Sequence, residues 1–132
     1  MFLGDYFNNI KNNYKNFFFS GTAFNSNQVK KDNIFFAIKG NKVDGNNFIL
    51  SAIRNGAKII VTEKKEDGLK NDILFIQSRN VRKLLAEISF KIYNNIPKNI
   101  IAVTGTNGKS SIADFYYQIL DLNKKKVLQL EL

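Results

Sequence analysis

Four apolar residues, Ile100-Ile101-Ala102-Val103, run directly into Thr104-Gly105-Thr106-Asn107-Gly108-Lys109-Ser110-Ser111, and helical spacing begins at once afterwards. Ile112, Phe115, Tyr116, Ile119 and Leu120 recur three or four apart. The segment from about Ser110 to Asn123 therefore reads as a helix with those residues inward. A β-branched strand joined to an amphipathic helix by a glycine-containing loop belongs in an α/β architecture.

The rest of the chain repeats that alternation. Residues 1–13 read as a short amphipathic helix, Phe17-Phe18-Phe19 as a buried strand, and Ile34 to Ile38 as a second strand closed by Lys39-Gly40. Asp44-Gly45 is a turn signal. Phe48, Ile49, Ala52 and Ile53 share one helical face, and Gly56 stands where a glycine ends a helix. Ala57 to Val61 and Ile73 to Ile76 are further strands. Asn80 is an N-cap for a helix with Val81, Leu84, Leu85, Ile88 and Ile92 on one side. Asn94-Asn95-Ile96-Pro97-Lys98-Asn99 breaks that helix and divides the chain into a first domain, residues 1–95, and a second, residues 96–132.

Composition removes several chemistries. With no His and no Cys among 132 residues, there is no imidazole base, no thiol nucleophile, no disulfide and no thiolate or imidazole metal site. No apolar run is long enough to cross a bilayer, and Met1-Phe2-Leu3-Gly4-Asp5 lacks the order of a signal peptide. The net charge of +9 admits an anionic partner, nucleotide or nucleic acid. The lysines are scattered among Asn, Ile and Phe, however. Drift toward AT-rich codons accounts for the charge better than a nucleic-acid surface, which needs basic and aromatic residues on one face.

The loop at 104–111 suits phosphate. Glycine lets backbone N–H groups approach an anion without a Cβ in the way, and the following helix adds unpaired donors and the positive end of its dipole. Lys109 would reach the β- and γ-phosphates, and the Ser110 hydroxyl would ligate Mg²⁺. The common pattern has Gly, four residues, then Gly-Lys-Ser/Thr. Here Val103 occupies the first glycine position.

That departure, Val-Thr-Gly-Thr-Asn-Gly-Lys followed by two hydroxyl residues, resembles the nucleotide loop of the Mur ligases, with Ser110 and Ser111 where the family mostly has Thr. Residues 24–48 resemble the uridine-binding domain of the same family: Asn25-Ser26-Asn27 where the family has Asp-Ser-Arg, then Val29, an apolar strand, Gly40, Asp44-Gly45 and Phe48. Gly56-Ala57-Lys58-Ile59-Ile60-Val61 also fits. The resemblance runs from about residue 17 to 127 and implies a small uridine-binding α/β domain followed by the first strand–loop–helix of a P-loop ATPase domain. Position by position, it implies that Gly105, Thr106, Asn107, Gly108, Lys109, Ser110 and Ser111 hold ATP, with Lys109 catalytic. Phe24, Ser26, Asn41, Lys42 and Val43 would line the UDP site, with Lys42 near the diphosphate. Asn25 and Asn27 remove two charges from that site. Taken alone, Ser26 reads as a turn residue near a strand end, and Asp44-Gly45 reads equally as a structural turn.

The loop wording favours the branch of the family that adds the third residue, meso-diaminopimelate or L-lysine, to UDP-N-acetylmuramoyl-L-alanyl-D-glutamate. The alternatives are the branch that adds D-Ala-D-Ala and a non-catalytic nucleotide-binding module. The resemblance further implies ATP and Mg²⁺ as cofactors, a bacterial cytoplasmic setting, and no nucleic-acid, membrane or obligatory protein partner. It places further metal ligands, a carbamylated lysine and an amino-acid-binding domain beyond the phosphate loop, so this stretch alone is expected to be inactive. Family members continue with a strand reading Val-Ala-Ser-Ile-Gly-Thr-Leu-Gly, whereas residues 127–132 read Val-Leu-Gln-Leu-Glu-Leu. Written in AT-ending codons, the family strand less a single base translates as that tail and stops. Residues 128–132 are therefore expected to be out of frame, which the DNA past the stop tests.

Overall fold

The three inner strands of the central sheet are buried on both faces, and the architecture follows from that. A computed structural model describes residues 1–93 and 97–130. The strands are β1 (Gly21–Ala23), β2 (Asn33–Phe36), β3 (Ile59–Thr62), β4 (Gly68–Lys70) and β5 (Ile73–Gln77), in the order β1-β2-β3-β5-β4. Pairing is parallel from β1 through β5, and β4 joins antiparallel at the edge. Continuous apolar strands are what a parallel sheet covered on both faces requires.

Alternation along each strand divides the core in two. Ile34, Phe36, Ile59, Val61, Leu74 and Ile76 pack with Leu3, Phe7, Phe19, Val81 and Ile88 on one face. Phe35, Ile60, Ile73 and Phe75 pack with Val29, Ala52 and Ala57 on the other. The first face is covered by α1 (Leu3–Tyr6) and α3 (Val81–Ile92), the second by α2 (Ile49–Arg54) and a 3-10 turn at Ser26–Gln28. The Asn80 side chain caps α3 by accepting from the Lys83 amide at 2.9 Å. Gly56 follows α2 after the cap residue Asn55.

Several expectations need correction. Residues 1–13 are not one helix: four residues form α1 and Asn12–Tyr14 form a 3-10 turn. Asn side chains compete locally for backbone groups, and four lie in this stretch, at 8, 9, 12 and 13. Phe17–Phe19 is extended but belongs to no sheet strand. It runs along the N-terminus through a Phe2–Phe18 bridge, with the Leu3 amide donating to Phe17 O and the Phe19 amide to Met1 O, both at 2.9 Å. The first sheet strand comes later, at β1. The β4–β5 hairpin was not expected; its two-residue turn, Asn71-Asp72, has both φ positive (47° and 63°), as a tight hairpin demands.

The chain folds as two compact units, Met1–Ile96 and Pro97–Leu132. Part of the expected boundary, Asn94–Ile96, lies outside the described residues, as do Glu131 and Leu132. In the second unit α4 (Lys109–Leu122) forms as expected. Ile100–Val103 forms no strand, because a lone extended segment has no partner for its N–H and C=O groups. The apolar face of α4 is exposed, Phe115 at 65% and Ile119 at 57%, as follows for an amphipathic helix with no complete sheet to join.

Candidate functional site

Two parallel strands end side by side and their following loops diverge, leaving a cleft of about 930 Å³ in the first unit. Openings at the carboxyl ends of strands are the usual ligand sites of open α/β sheets. From the loop after β1 come Phe24, Asn25, Ser26 and Asn27. From the loop after β2 come Ile38, Gly40, Val43 and Gly45, then Phe48 and Ser51 at the entry to α2. From α3 come Arg82, Leu85 and Ala86.

Each wall is fixed locally. The Asn27 amide donates to Asn25 Oδ1 at 2.9 Å, which winds the 3-10 turn and leaves Ser26 buried. Asn55 Nδ2 donates to Ser26 O at 2.9 Å and ties that turn to the end of α2. The loop after β2 folds back on itself, with the Gly40 amide donating to Val43 O and the Gly45 amide to Ile38 O, both at 2.9 Å. A Cβ on Gly45 would lie 2.6 Å from the Ile38 oxygen, so the fold-back admits glycine alone. Asp44 Oδ1 accepts from the Asn46 amide at 2.9 Å and from Asn46 Nδ2 at 2.7 Å. The Asn46 backbone N–H, then its side chain, hold the Asp44 carboxyl below its ordinary value. Buried Thr62 at the end of β3 donates to Asn46 Oδ1 at 2.6 Å, so the sheet itself anchors the loop.

Of the five residues expected at a UDP site, Phe24, Ser26 and Val43 line this cleft. Asn41 and Lys42 sit at the exposed tip of the fold-back and are not among its lining residues. Reading the sequence missed Phe48, Ser51, Arg82 and Leu85. The helical spacing puts Leu85 on the core side of α3, and it packs partly there. Arg82 had a signal: it is a cation in the first turn of a helix, where the dipole disfavours one.

The second unit carries the other expected residues. Gly108 caps α4 at φ 75°, and the first intrahelical bond runs from the Ile112 amide to Gly108 O at 3.0 Å. The amides of Lys109, Ser110 and Ser111 precede that bond, and no side chain caps them. Lys109 Nζ folds back to donate to Gly105 O at 2.7 Å, which keeps its charge over the loop. A Cβ at Gly108 would meet nothing within 4 Å, so the space beside the loop is open. Donor amides, an ammonium and hydroxyls at Thr106, Ser110 and Ser111 suit a polyphosphate with a hard cation. The cavity of about 490 Å³ in this unit lies elsewhere, between residues 98–101 and Tyr116 and Leu120.

Residues 19–98 match the Mur ligase family, catalytic domain. The chain is 43% identical over 118 residues to UDP-N-acetylmuramoyl-L-alanyl-D-glutamate–2,6-diaminopimelate ligase of Rickettsia prowazekii, covering 89% of this chain and 24% of that protein. It is 44% identical over 103 residues to the Clostridium tetani ligase of the same name, covering 74% of this chain and 21% of the other. The crystal structure of MurF ligase from Thermotoga maritima in complex with ADP superposes with a TM-score of 0.60 at 31% identity, over 81% of this chain and 24% of that one. The chain thus spans about a quarter of the length of the relatives it matches, and it belongs to the Mur ligase family.

Proposed function

We propose that the first unit binds the uridine diphosphate end of a UDP-N-acetylmuramoyl peptide and that the second supplies the phosphate loop of an ATP site. The parent activity is ATP-dependent amide formation that adds a diaminopimelate-type residue to UDP-N-acetylmuramoyl-L-alanyl-D-glutamate, as the names of the 43% and 44% identical relatives state for those proteins. The observation that carries this reading is the cleft, which gathers Phe24, Ser26 and Val43 from loops far apart in sequence. Its volume of about 930 Å³ suits a nucleotide-sized ligand. Identity to these relatives exceeds the 31% to the MurF structure, which favours the third-residue branch over the D-Ala-D-Ala branch.

Within the cleft, exposed Phe24 and Val43 offer apolar surface to a base, and the buried Ser26 turn offers polar edges. In the second unit Gly105, Thr106, Asn107 and Gly108 shape the loop. The amides of Lys109 to Ser111 would face phosphate, Lys109 would neutralise it, and Ser110 would ligate Mg²⁺. Mg-ATP, when bound, supplies the phosphoryl group that activates the substrate carboxylate. The family's cytoplasmic setting belongs to the same reading; among the described residues no helix is long and apolar enough to cross a membrane.

Titrating the chain with UDP while following backbone amides by NMR tests the first half. Shifts should concentrate at residues 24–27, 40–45 and 82–86. An unperturbed cleft at about 1 mM UDP would refute it, since that is weaker than a working substrate site. Mg-ATP should move residues 105–111, and Lys109→Ala should remove that response.

A further inference from the structure

Among the residues that line the cleft, Arg82 is the one that carries a charge. Among the described residues no carboxylate pairs with it. Among the described residues, the ion pairs are Lys11–Asp67, Lys70–Glu66 and Lys83–Glu87, none of which involves Arg82. No side-chain hydrogen bond of Arg82 occurs among them either.

Its place on the helix sharpens the point. Arg82 stands in the first turn of α3, and that turn holds no acidic residue. The amino end of a helix repels a cation and attracts an anion. Lys83, in the same turn, lies 3.8 Å from Glu87 and has its charge answered one turn on. Arg82 has no such partner and faces a concave space. A local electrostatic rule is broken there without a compensating contact, which is characteristic of ligand sites.

The remaining surface of the cleft limits what the anion is attached to. Phe24, Val43 and Phe48 are 63%, 57% and 41% exposed, unusual for apolar residues gathered around one opening. A flat apolar group with a negative group attached would satisfy both halves. Lys42, which the family resemblance implies near the diphosphate, is absent from the lining.

The geometry points to Arg82 as the residue that meets the diphosphate of the nucleotide in this cleft, a role that rests on the UDP-binding reading above. A planar guanidinium suits it, because its fork of donors matches two phosphate oxygens at once.

The test uses the whole chain and two probes, UDP and uridine, by calorimetry or NMR titration. In Arg82→Gln the affinity for UDP should fall by about tenfold to a hundredfold, the range expected for a lost charge-assisted hydrogen bond. The affinity for uridine should stay within about twofold, and the salt dependence of UDP binding should flatten. Arg82→Lys should fall between wild type and Arg82→Gln. Unchanged UDP affinity in Arg82→Gln overturns the assignment while leaving the uridine site intact. Equal losses for UDP and uridine also overturn it, because they mark a structural role. If wild type binds neither probe, the reading of the cleft itself fails, and this inference with it.

Discussion

Asp44 and Gly45 are neighbours with separate duties in one loop. The Asp44 carboxylate accepts from the Asn46 backbone and side chain, and these bonds lower its pKa. A depressed carboxylate pKa contributes stability that is complete above the unfolded value and lost as pH falls through the folded one. Acid titration of stability should therefore show a loss beginning near the ordinary value of 3.8. That loss should be smaller in Asp44→Asn when both proteins are followed by denaturant melts at each pH. Gly45→Ala forces a Cβ to within 2.6 Å of the Ile38 carbonyl oxygen, so the backbone must shift, at about 1–3 kcal/mol. Gly108→Ala has open space and meets only the strain of φ 75°, about 1–2 kcal/mol. Urea unfolding followed at the first domain should register the Gly45 change and be blind to the one at Gly108. At this scale the residue types of 104–111 suggest a phosphate loop, a reading that the Mg-ATP titration tests. Arg82 is marked in the sequence only as a cation in a helix's first turn, and its place at the cleft was not legible, since an arginine on a helix surface looks solvated until the loops opposite are in place.

Helix α3 shows how far an element can be read and where reading stops. Asn80 as the cap and Val81, Leu84, Leu85 and Ile88 as the inward set were readable, because both depend on spacing within one turn. Ile88 is fully buried against the sheet face of Phe36, Val61 and Leu74. Ile88→Ala should cost about 2–5 kcal/mol in unfolding free energy and Asn80→Ala about 1 kcal/mol, measured by guanidinium titration. A cost at Ile88 below that of Asn80 would contradict the packing described. That Leu85 serves both core and cleft could not be read, because the second contact comes from residues about 40 positions away. The N-terminal segment failed for a similar reason. Its apolar spacing fits a helix, but Phe17–Phe19 offers backbone partners, and tertiary pairing prevailed over weak propensity.

For the molecule as a whole, the two units differ in what they bury. The first has a sheet packed on both faces; α4 of the second has no buried residue. Local stability follows buried apolar contact. Amides of β2, β3 and β5 should exchange with solvent only through global opening, and those of α4 orders of magnitude faster. Uniform protection, read by mass spectrometry or NMR, would show that α4 is covered in solution. The sequence by itself determined the α/β class, the order of β2, α2, β3, β5 and α3, and the helix that follows residues 104–108. Those features depend on periodicities and residue types that act within a few positions. Only the tertiary structure decided that β1 starts at Gly21 rather than Phe17, that Ile100–Val103 stays unpaired, and that Arg82 rather than Lys42 reaches the cleft. Each of those depends on which distant segment supplies a hydrogen-bond partner or an opposing wall, and no local pattern carries that information.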